Sequence, residues 1–286
     1  MSILLFICND NSAQSDNYID YYRNIEQAYQ KGVFISDSDT TIFFMEKAFS
    51  CVSESFPEDL FVVAQAFLDK KDKIKYFEFL LKSIRTGIDS SEISKINAYS
   101  FLSTAQKNKC IDAYENYQFN IDTTLALELE LVRGKDQKVR SELNNFDSKE
   151  KSAKHVRFQD SLNREWLISI IKTKGWPGRK VVGNYRANIL LTHLDMNWLE
   201  DNFNLLIEEI KKGNLSASML AYKFDLNSYM YLKQKIIYNS LMPSNFIPNA
   251  EGEDLRAIKR WEIGALSRKV CETRNYKFRK YRPKTF

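Results

Sequence analysis

The sequence has few of the residues that interrupt regular structure. It contains nine glycines and five prolines in 286 residues, and β-sandwiches and doubly wound sheets need more turn residues than this. Along most segments the apolar residues recur at steps of three and four, which is the period of a buried helix face. We therefore predict an all-α fold.

Cysteine and histidine are also scarce. The four cysteines form no C-x-x-C pair, and the two histidines are His155 and His193, so neither a disulfide framework nor a multi-histidine metal centre is indicated. The sequence contains no G-x-S-x-G, no H-E-x-x-H, no phosphate-binding glycine loop and no dinucleotide fingerprint. We predict no metal and no cofactor.

No stretch approaches the roughly 18–20 apolar residues of a membrane-spanning helix, so we predict no membrane span. Residues 1–13 include the run ILLFIC before NSAQS, which is similar to the end of an export signal. The basic n-region is missing, however, and the run is shorter than the usual length of about 7–15 residues. The sequence as written predicts a cytoplasmic protein. The alternative is an extracytoplasmic protein with a truncated or decayed signal at 1–13.

Positive charge is concentrated at the end of the chain. Residues 268–286 hold eight Lys/Arg and one Glu, a net of +7, whereas the whole chain carries +5. The rest of the chain therefore sums to −2. Such a tail can contact nucleic acid or an anionic membrane, but a solvated terminus has the same composition. We favour a solvated basic tail at 271–286 and expect neither nucleic acid nor an anionic surface as its partner.

Residues 16–118 are predicted to form a domain of helical hairpins. The pattern predicts helices over 17–32, 37–52, 57–71, 72–87 and 90–108. AQAF at 64–67 recurs as AYSF at 98–101, an offset of 34 residues, which is the length of a tetratricopeptide unit. The alternative is generic antiparallel packing of helices. In either case the hairpins are predicted to dock a protein or a peptide.

A second helical domain is predicted over 119–270, and its first helix contains an unexpected charge. Apolar residues recur at steps of three and four from Leu125 to Leu143, but Asp136 occupies one position of that stripe. A buried carboxylate is costly unless it is paired or hydrogen-bonded, and Arg140 lies one turn later. Asp136 then belongs either to an ion-pair network that fixes helix packing or to a polar pocket. In such a pocket Asp136 would orient or deprotonate His193, and Arg140 would hold an anion.

The following segments are predicted from the same spacing. A polar break at 144–160 precedes a helix over 161–175 with Leu162, Trp166 and Ile170 on its buried face. The connector GWPGRKVVG follows, and Trp176 is expected to be buried in it. Residues 184–214 are then predicted to be helical.

The second domain resembles an uncharacterised bacterial family of domains of unknown function, through several short motifs. They are Asp136-Gln137 with Arg140, Gly175-Trp176-Pro177 with Val182-Gly183, His193 with Asp195, Tyr222 with Asp225, and RWEIGAL at 260–266, while Asp160 and Asn163 also fit. The family pattern is broken at Thr192, at Leu226 and at 238–241. The resemblance places a site in this half but implies no reaction. The predicted site residues are Asp136, Gln137, Arg140, Asn163, Trp176, His193, Asp195, Asp225 and Arg260.

Two functions are compatible with these observations. The first is a helical binding protein with a polar pocket in its second domain. The alternative is a hydrolase that uses His193 and Asp136 as a general-base pair and is degenerate in this copy. The missing catalytic motifs and the three altered family positions favour the binding protein.

Overall fold

The structure is a computed structural model, and it describes residues 17–88, 99, 101–142, 149–183, 186–227, 265, 266 and 270. Within these residues every regular element is a helix, so the predicted all-α class is confirmed. The predictions for residues 1–13, Arg260 and the basic tail lie outside the described residues. No helix among the described residues is long and apolar enough to cross a membrane.

The first half is a series of helices that each pack on the next. The helices are α1 (Tyr18–Lys31), α2 (Ser38–Phe49), α3 (Pro57–Asp69), α4 (Lys73–Arg85) and α5 (Thr104–Phe119), with a short 3-10 helix at Val33–Ile35. Contacts join α1 to α2, α2 to α3, α3 to α4 and α4 to α5. A likeness to tetratricopeptide repeats, as distinct from generic helical packing, stays a prediction.

The start of α5 differs from the predicted helix over 90–108. Leu102 is in a bend, and Ser103 is the N-cap of a new helix. The Ser103 side chain accepts a hydrogen bond from the Gln106 backbone, and the Gln106 side chain accepts one from the Ser103 backbone. This capping box is readable in the sequence as S-x-x-Q, and it marks the helix start that the spacing of apolar residues did not show.

The second half is built from longer and shorter helices around a separate apolar core. The elements are α6 (Thr123–Ser141), α7 (Lys149–Lys174), α8 (Arg179–Val182), a 3-10 helix at Arg186–His193, α9 (Met196–Asp201), α10 (Phe203–Lys211) and α11 (Ala217–Asn227). The 3-10 helix packs on α6, α7 and α11. Its last residue is His193, so it carries that side chain to the contact between α6 and α7.

Two predictions for α7 are wrong. Residues 149–160, predicted as part of a polar break, form its first three turns. Its buried positions are Asn163, Leu167 and Ile171, whereas the predicted Leu162 is exposed and Trp166 is half-buried. The buried face of α7 therefore lies one residue further along the helix than the predicted face. The large side chains of Leu162 and Trp166 predicted a core position that the smaller Asn163 and Leu167 occupy.

The Gly-Trp-Pro connector fixes the end of α7. Gly175 and Gly183 have φ angles of +81° and +76°, which side chains with a Cβ rarely adopt. Trp176 is fully buried in the second core, as predicted. A Cβ on Gly178 would lie 1.8 Å from the Asn214 carbonyl oxygen, so only glycine fits at this position.

Helix α8 also contacts the first half. The Tyr117 hydroxyl on α5 donates to the Arg179 carbonyl oxygen at 2.6 Å, and Lys180 pairs with Glu54 at 2.6 Å. The buried apolar residues form two cores, and the first of them includes Leu266 and Val270 from the end of the predicted second domain. The exact division into domains at 118 and 119 stays a prediction.

Candidate functional site

Asp136 is buried on α6, at the place where the apolar stripe is interrupted. Its side chain is only 1% exposed. Gln137 Nε2 donates to Oδ2 at 2.8 Å, and Asn163 Nδ2 donates to Oδ1 at 3.0 Å. Arg140 approaches both carboxylate oxygens, each at 3.3 Å. The cost of burying this carboxylate is therefore offset by four hydrogen bonds.

His193 reaches Asp136 from the 3-10 helix, as one of the two sequence hypotheses required. Its side chain is 2% exposed, and Nε2 lies 3.2 Å from Asp136 Oδ1. The other ring nitrogen, Nδ1, lies 3.1 Å from Asp160 Oδ1. Nε2 has no hydrogen-bond partner of good geometry within the described residues, although it is buried. The imidazole is thus held between two carboxylates with one nitrogen unsatisfied.

Arg140 and Asp160 form the open side of the same group. Arg140 Nη2 donates to Asp160 Oδ1 at 2.7 Å. The two side chains are 38% and 34% exposed, in contrast to Asp136 and His193 behind them. We call Asp136, Arg140, Asp160 and His193 the His193 cluster. It is closed at the Asp136 end and reaches solvent at the Asp160 end.

The charges around His193 act in opposite directions. Burial lowers the pKa of His193, and Arg140 and Lys223 lower it further, whereas Asp160 and Asp136 raise it. The net direction is below the ordinary value of 6.5, so the lowered pKa favours the neutral form of the ring at pH 7. Burial also lowers the pKa of Lys223, which donates to the Thr192 carbonyl oxygen at 2.8 Å. Arg140 and Lys223 are thus the cations that act on His193, and Asp136 and Asp160 are the anions.

The other predicted site residues differ in what they contact. Gln137 and Asn163 support Asp136 directly, as described above. Asp195 is the N-cap of α9, where it accepts from the Trp198 backbone at 2.8 Å, and it lies 3.6 Å from Arg164. Trp176 belongs to the apolar core, and Asp225 is buried on α11. The structure therefore places Asp136, Gln137, Arg140, Asn163 and His193 in one site.

The site also contains Asp160 and Gln159, which are not among the predicted site residues. Gln159 Nε2 donates to Asn163 Oδ1 at 2.8 Å and so orients the amide that supports Asp136. The missed signal is the spacing of Asp160, Asn163, Leu167 and Ile171, which follows one face of a helix. On this face of α7 two polar residues, Asp160 and Asn163, precede the apolar ones. On α6 the polar Asp136 likewise interrupts the buried apolar face, and these polar residues meet where the two helices pack.

No family model, curated protein or solved structure matches this chain. The resemblance to the family of unknown function therefore stays a prediction, and the functional argument depends on the geometry of the His193 cluster.

Proposed function

We propose that this protein is a helical binding protein and that the His193 cluster is its ligand site. The observation that supports the proposal is the unsatisfied Nε2 of His193, which is buried 3.2 Å from Asp136 at the inner end of a group that reaches solvent. A buried polar atom without a partner costs about 1–3 kcal/mol. A ligand that supplied this partner would recover that free energy.

The composition of the cluster also favours a ligand over a purely structural role. Arg140 is shared between Asp136 and Asp160. The lowered pKa of His193 favours its neutral form at pH 7. Arg140 and Asp160 are 38% and 34% exposed, so a ligand can reach the carboxylates from solvent at the outer end of the cluster. This arrangement suits a small ligand with a cationic or hydrogen-bond-donating group.

The test is a thermal-shift screen of the full chain against metabolites, metal ions and peptides. A ligand of the cluster should raise the Tm of the wild type and of His155→Ala, but not that of His193→Ala. His155 is the matched control, because it is the other histidine and is exposed on α7. If every stabilising compound acts equally on His193→Ala, the cluster is not the site.

A hydrolase is the second candidate, and one contact favours it. The neutral His193 ring lies beside Asp136, a carboxylate that three other side chains hold in place. Such a pair can take a proton from water. No serine or cysteine hydrogen-bonds to His193 or Asp136 among the described residues, so water would be the nucleophile. Hydrolysis of model esters, phosphoesters or peptides that is lost in His193→Ala, but not in His155→Ala, would support this function.

The predicted docking of a protein or peptide on the N-terminal hairpins is a separate part of the binding hypothesis. That half exposes large apolar side chains at Phe43, Ile74 and Phe101. A pull-down with residues 16–118 alone would be ambiguous, because α8 contacts α5. The full chain is therefore the reagent for that test.

A further inference from the structure

We propose that the His193 cluster binds a divalent transition-metal ion through His193 Nε2, Asp136 Oδ1 and Asp160 Oδ1. This inference rests on the proposed function, because it names the ligand of the same site, and it replaces our expectation from the sequence that no metal is bound. One ligand atom from each residue can be chosen so that all three lie within 4.8 Å of one another.

The ligand atoms suit a transition metal in type and spacing. Zinc binds imidazole nitrogen and carboxylate oxygen at about 2.0–2.2 Å, which places two ligand atoms of a tetrahedral site about 3.3–3.5 Å apart. His193 Nε2 and Asp136 Oδ1 are already 3.2 Å apart. Asp160 Oδ1 lies beside the other ring nitrogen, 3.1 Å from Nδ1, so it must turn toward Nε2 to complete the set; Asp160 is one-third exposed, so its side-chain torsion can change. Three protein ligands leave a coordination position for water or a substrate.

The unsatisfied ring nitrogen points independently to a ligand. Groups of acidic residues are common without a metal, but His193 Nε2 is buried and has no hydrogen-bond partner of good geometry among the described residues. A neutral imidazole offers a lone pair at one ring nitrogen. A metal ion at this nitrogen would satisfy it, and Asp136 is already oriented by Gln137 and Asn163. Such supporting hydrogen bonds are typical of the residues around a metal.

The Arg140 guanidinium occupies the position between the two carboxylates where we propose that the metal ion binds. Its Nη2 lies 2.7 Å from Asp160 Oδ1 and 3.3 Å from Asp136 Oδ1, which are the two oxygens that the ion would bridge. A guanidinium and a metal ion cannot occupy this position together. Because Arg140 is 38% exposed, its side chain can turn toward solvent when a metal binds. The guanidinium is thus a competing cation, and its removal should strengthen metal binding.

The experiment is isothermal titration calorimetry of the full chain, after treatment with a chelator, with Zn²⁺ and separately with Mn²⁺. The second ion is needed because the chain has four cysteines, and Mn²⁺ prefers oxygen and nitrogen ligands to thiolates. His155→Ala is the control variant and should bind like the wild type. His193→Ala and Asp160→Asn should each weaken binding of both ions by more than the roughly 10–100-fold that supporting residues contribute.

The Arg140→Gln variant provides the sharpest test, because a purely structural arginine predicts the opposite result. It should bind both ions about 10-fold more tightly than the wild type, because the ion no longer has to displace the guanidinium, and a change of this order is what one partly exposed ion pair contributes. Equal or weaker binding by Arg140→Gln would overturn the proposal, as would equal binding by Asp160→Asn. If His193→Ala does not fold, Asp160→Asn and Arg140→Gln still decide the question.

The same measurements separate failure of this inference from failure of the proposed function. If neither ion binds the wild type, but an organic ligand from the thermal-shift screen still requires His193, the metal inference is wrong and the ligand site stands. If no ligand of any kind depends on His193, both are wrong.

Discussion

Replacing Asp136 with asparagine tests whether the buried carboxylate stabilises the second half. Each of its two oxygens accepts from two donors: Gln137 and Arg140 at Oδ2, and Asn163 and Arg140 at Oδ1. An asparagine must place its NH₂ group at one of these positions. Whichever way the amide turns, a donor then faces donors, and the charge that Arg140 pairs with is gone.

The expected cost is about 3–5 kcal/mol, which is the range for breaking a buried ion pair by removing one partner. For a domain of this size, each kcal/mol lowers the Tm by about 2–4 °C, so a fall of roughly 10 °C is expected. Urea denaturation and thermal melts of Asp136→Asn should both show it. The control is Asp201→Asn, an exposed carboxylate in the same half, which should melt like the wild type.

An exposed ion pair contributes up to about 1 kcal/mol. If Asp136→Asn lowers the free energy of unfolding by less than this, the buried carboxylate does not stabilise the second half as proposed. The double variant Asp136→Leu with Arg140→Leu should also destabilise the protein. Asn163 is buried and donates to Asp136, so two leucines would leave its amide without that acceptor. We expect the double variant to lose about 1–3 kcal/mol for this reason, unless Asn163 is also made apolar.

Three further predictions concern other parts of the molecule. Trp176→Ala should cost about 3–5 kcal/mol in urea denaturation, because Trp176 is fully buried; a melt within a degree or two of wild type would contradict this. Gly178→Ala should destabilise more than an alanine at the exposed Gly134 does, because its Cβ would meet the Asn214 carbonyl oxygen, whereas a Cβ at Gly134 meets nothing. A hydrogen bond from Lys174 lowers the pKa of Asp122 below its ordinary value of 3.8. The ionised Asp122 therefore stabilises the folded state above pH 3.8, and this stabilisation is lost as the pH falls through the lowered pKa. Asp122→Asn keeps the helix cap and should therefore flatten the acid side of a stability–pH curve relative to wild type.

The sequence was sufficient to predict the burial of Asp136 and its pairing with Arg140, because both depend on spacing within a single helix. Its burial follows from the spacing on α6, and its pairing with Arg140 follows from a separation of one turn. The contact with His193 was one of two hypotheses. The participation of Asp160 depends on how α6 and α7 align; its spacing from Asn163 and Leu167 indicates only that the three share one helix face. The sequence reasoning also placed the α7 face one residue away, where Asn163 could not point at Asp136.

Other features were missed because tertiary structure overrides local preference. Residues 184–214 have an apolar period that fits one helix, but the chain forms a 3-10 helix and then restarts at Asp195. In the first half, Asp59 looks like an ordinary acid of a first helical turn, yet it is fully buried and accepts from the Tyr21 hydroxyl at 2.7 Å. This pair depends on a tertiary contact between α1 and the first turn of α3, which no local pattern predicts.

The contacts of α8 limit how this chain can be divided. Its backbone carbonyl groups accept hydrogen bonds from both halves. Arg179 accepts from the Tyr117 hydroxyl in the first half, and Val181 accepts from the Asp122 backbone in the second half at 2.8 Å. A fragment ending near residue 120 would carry Tyr117 without its acceptor, and the complementary fragment would expose the surface that α5 covers. In recombination between related chains, Tyr117 and the Gly-Trp-Pro connector must therefore be inherited together, although about 60 residues of sequence separate them.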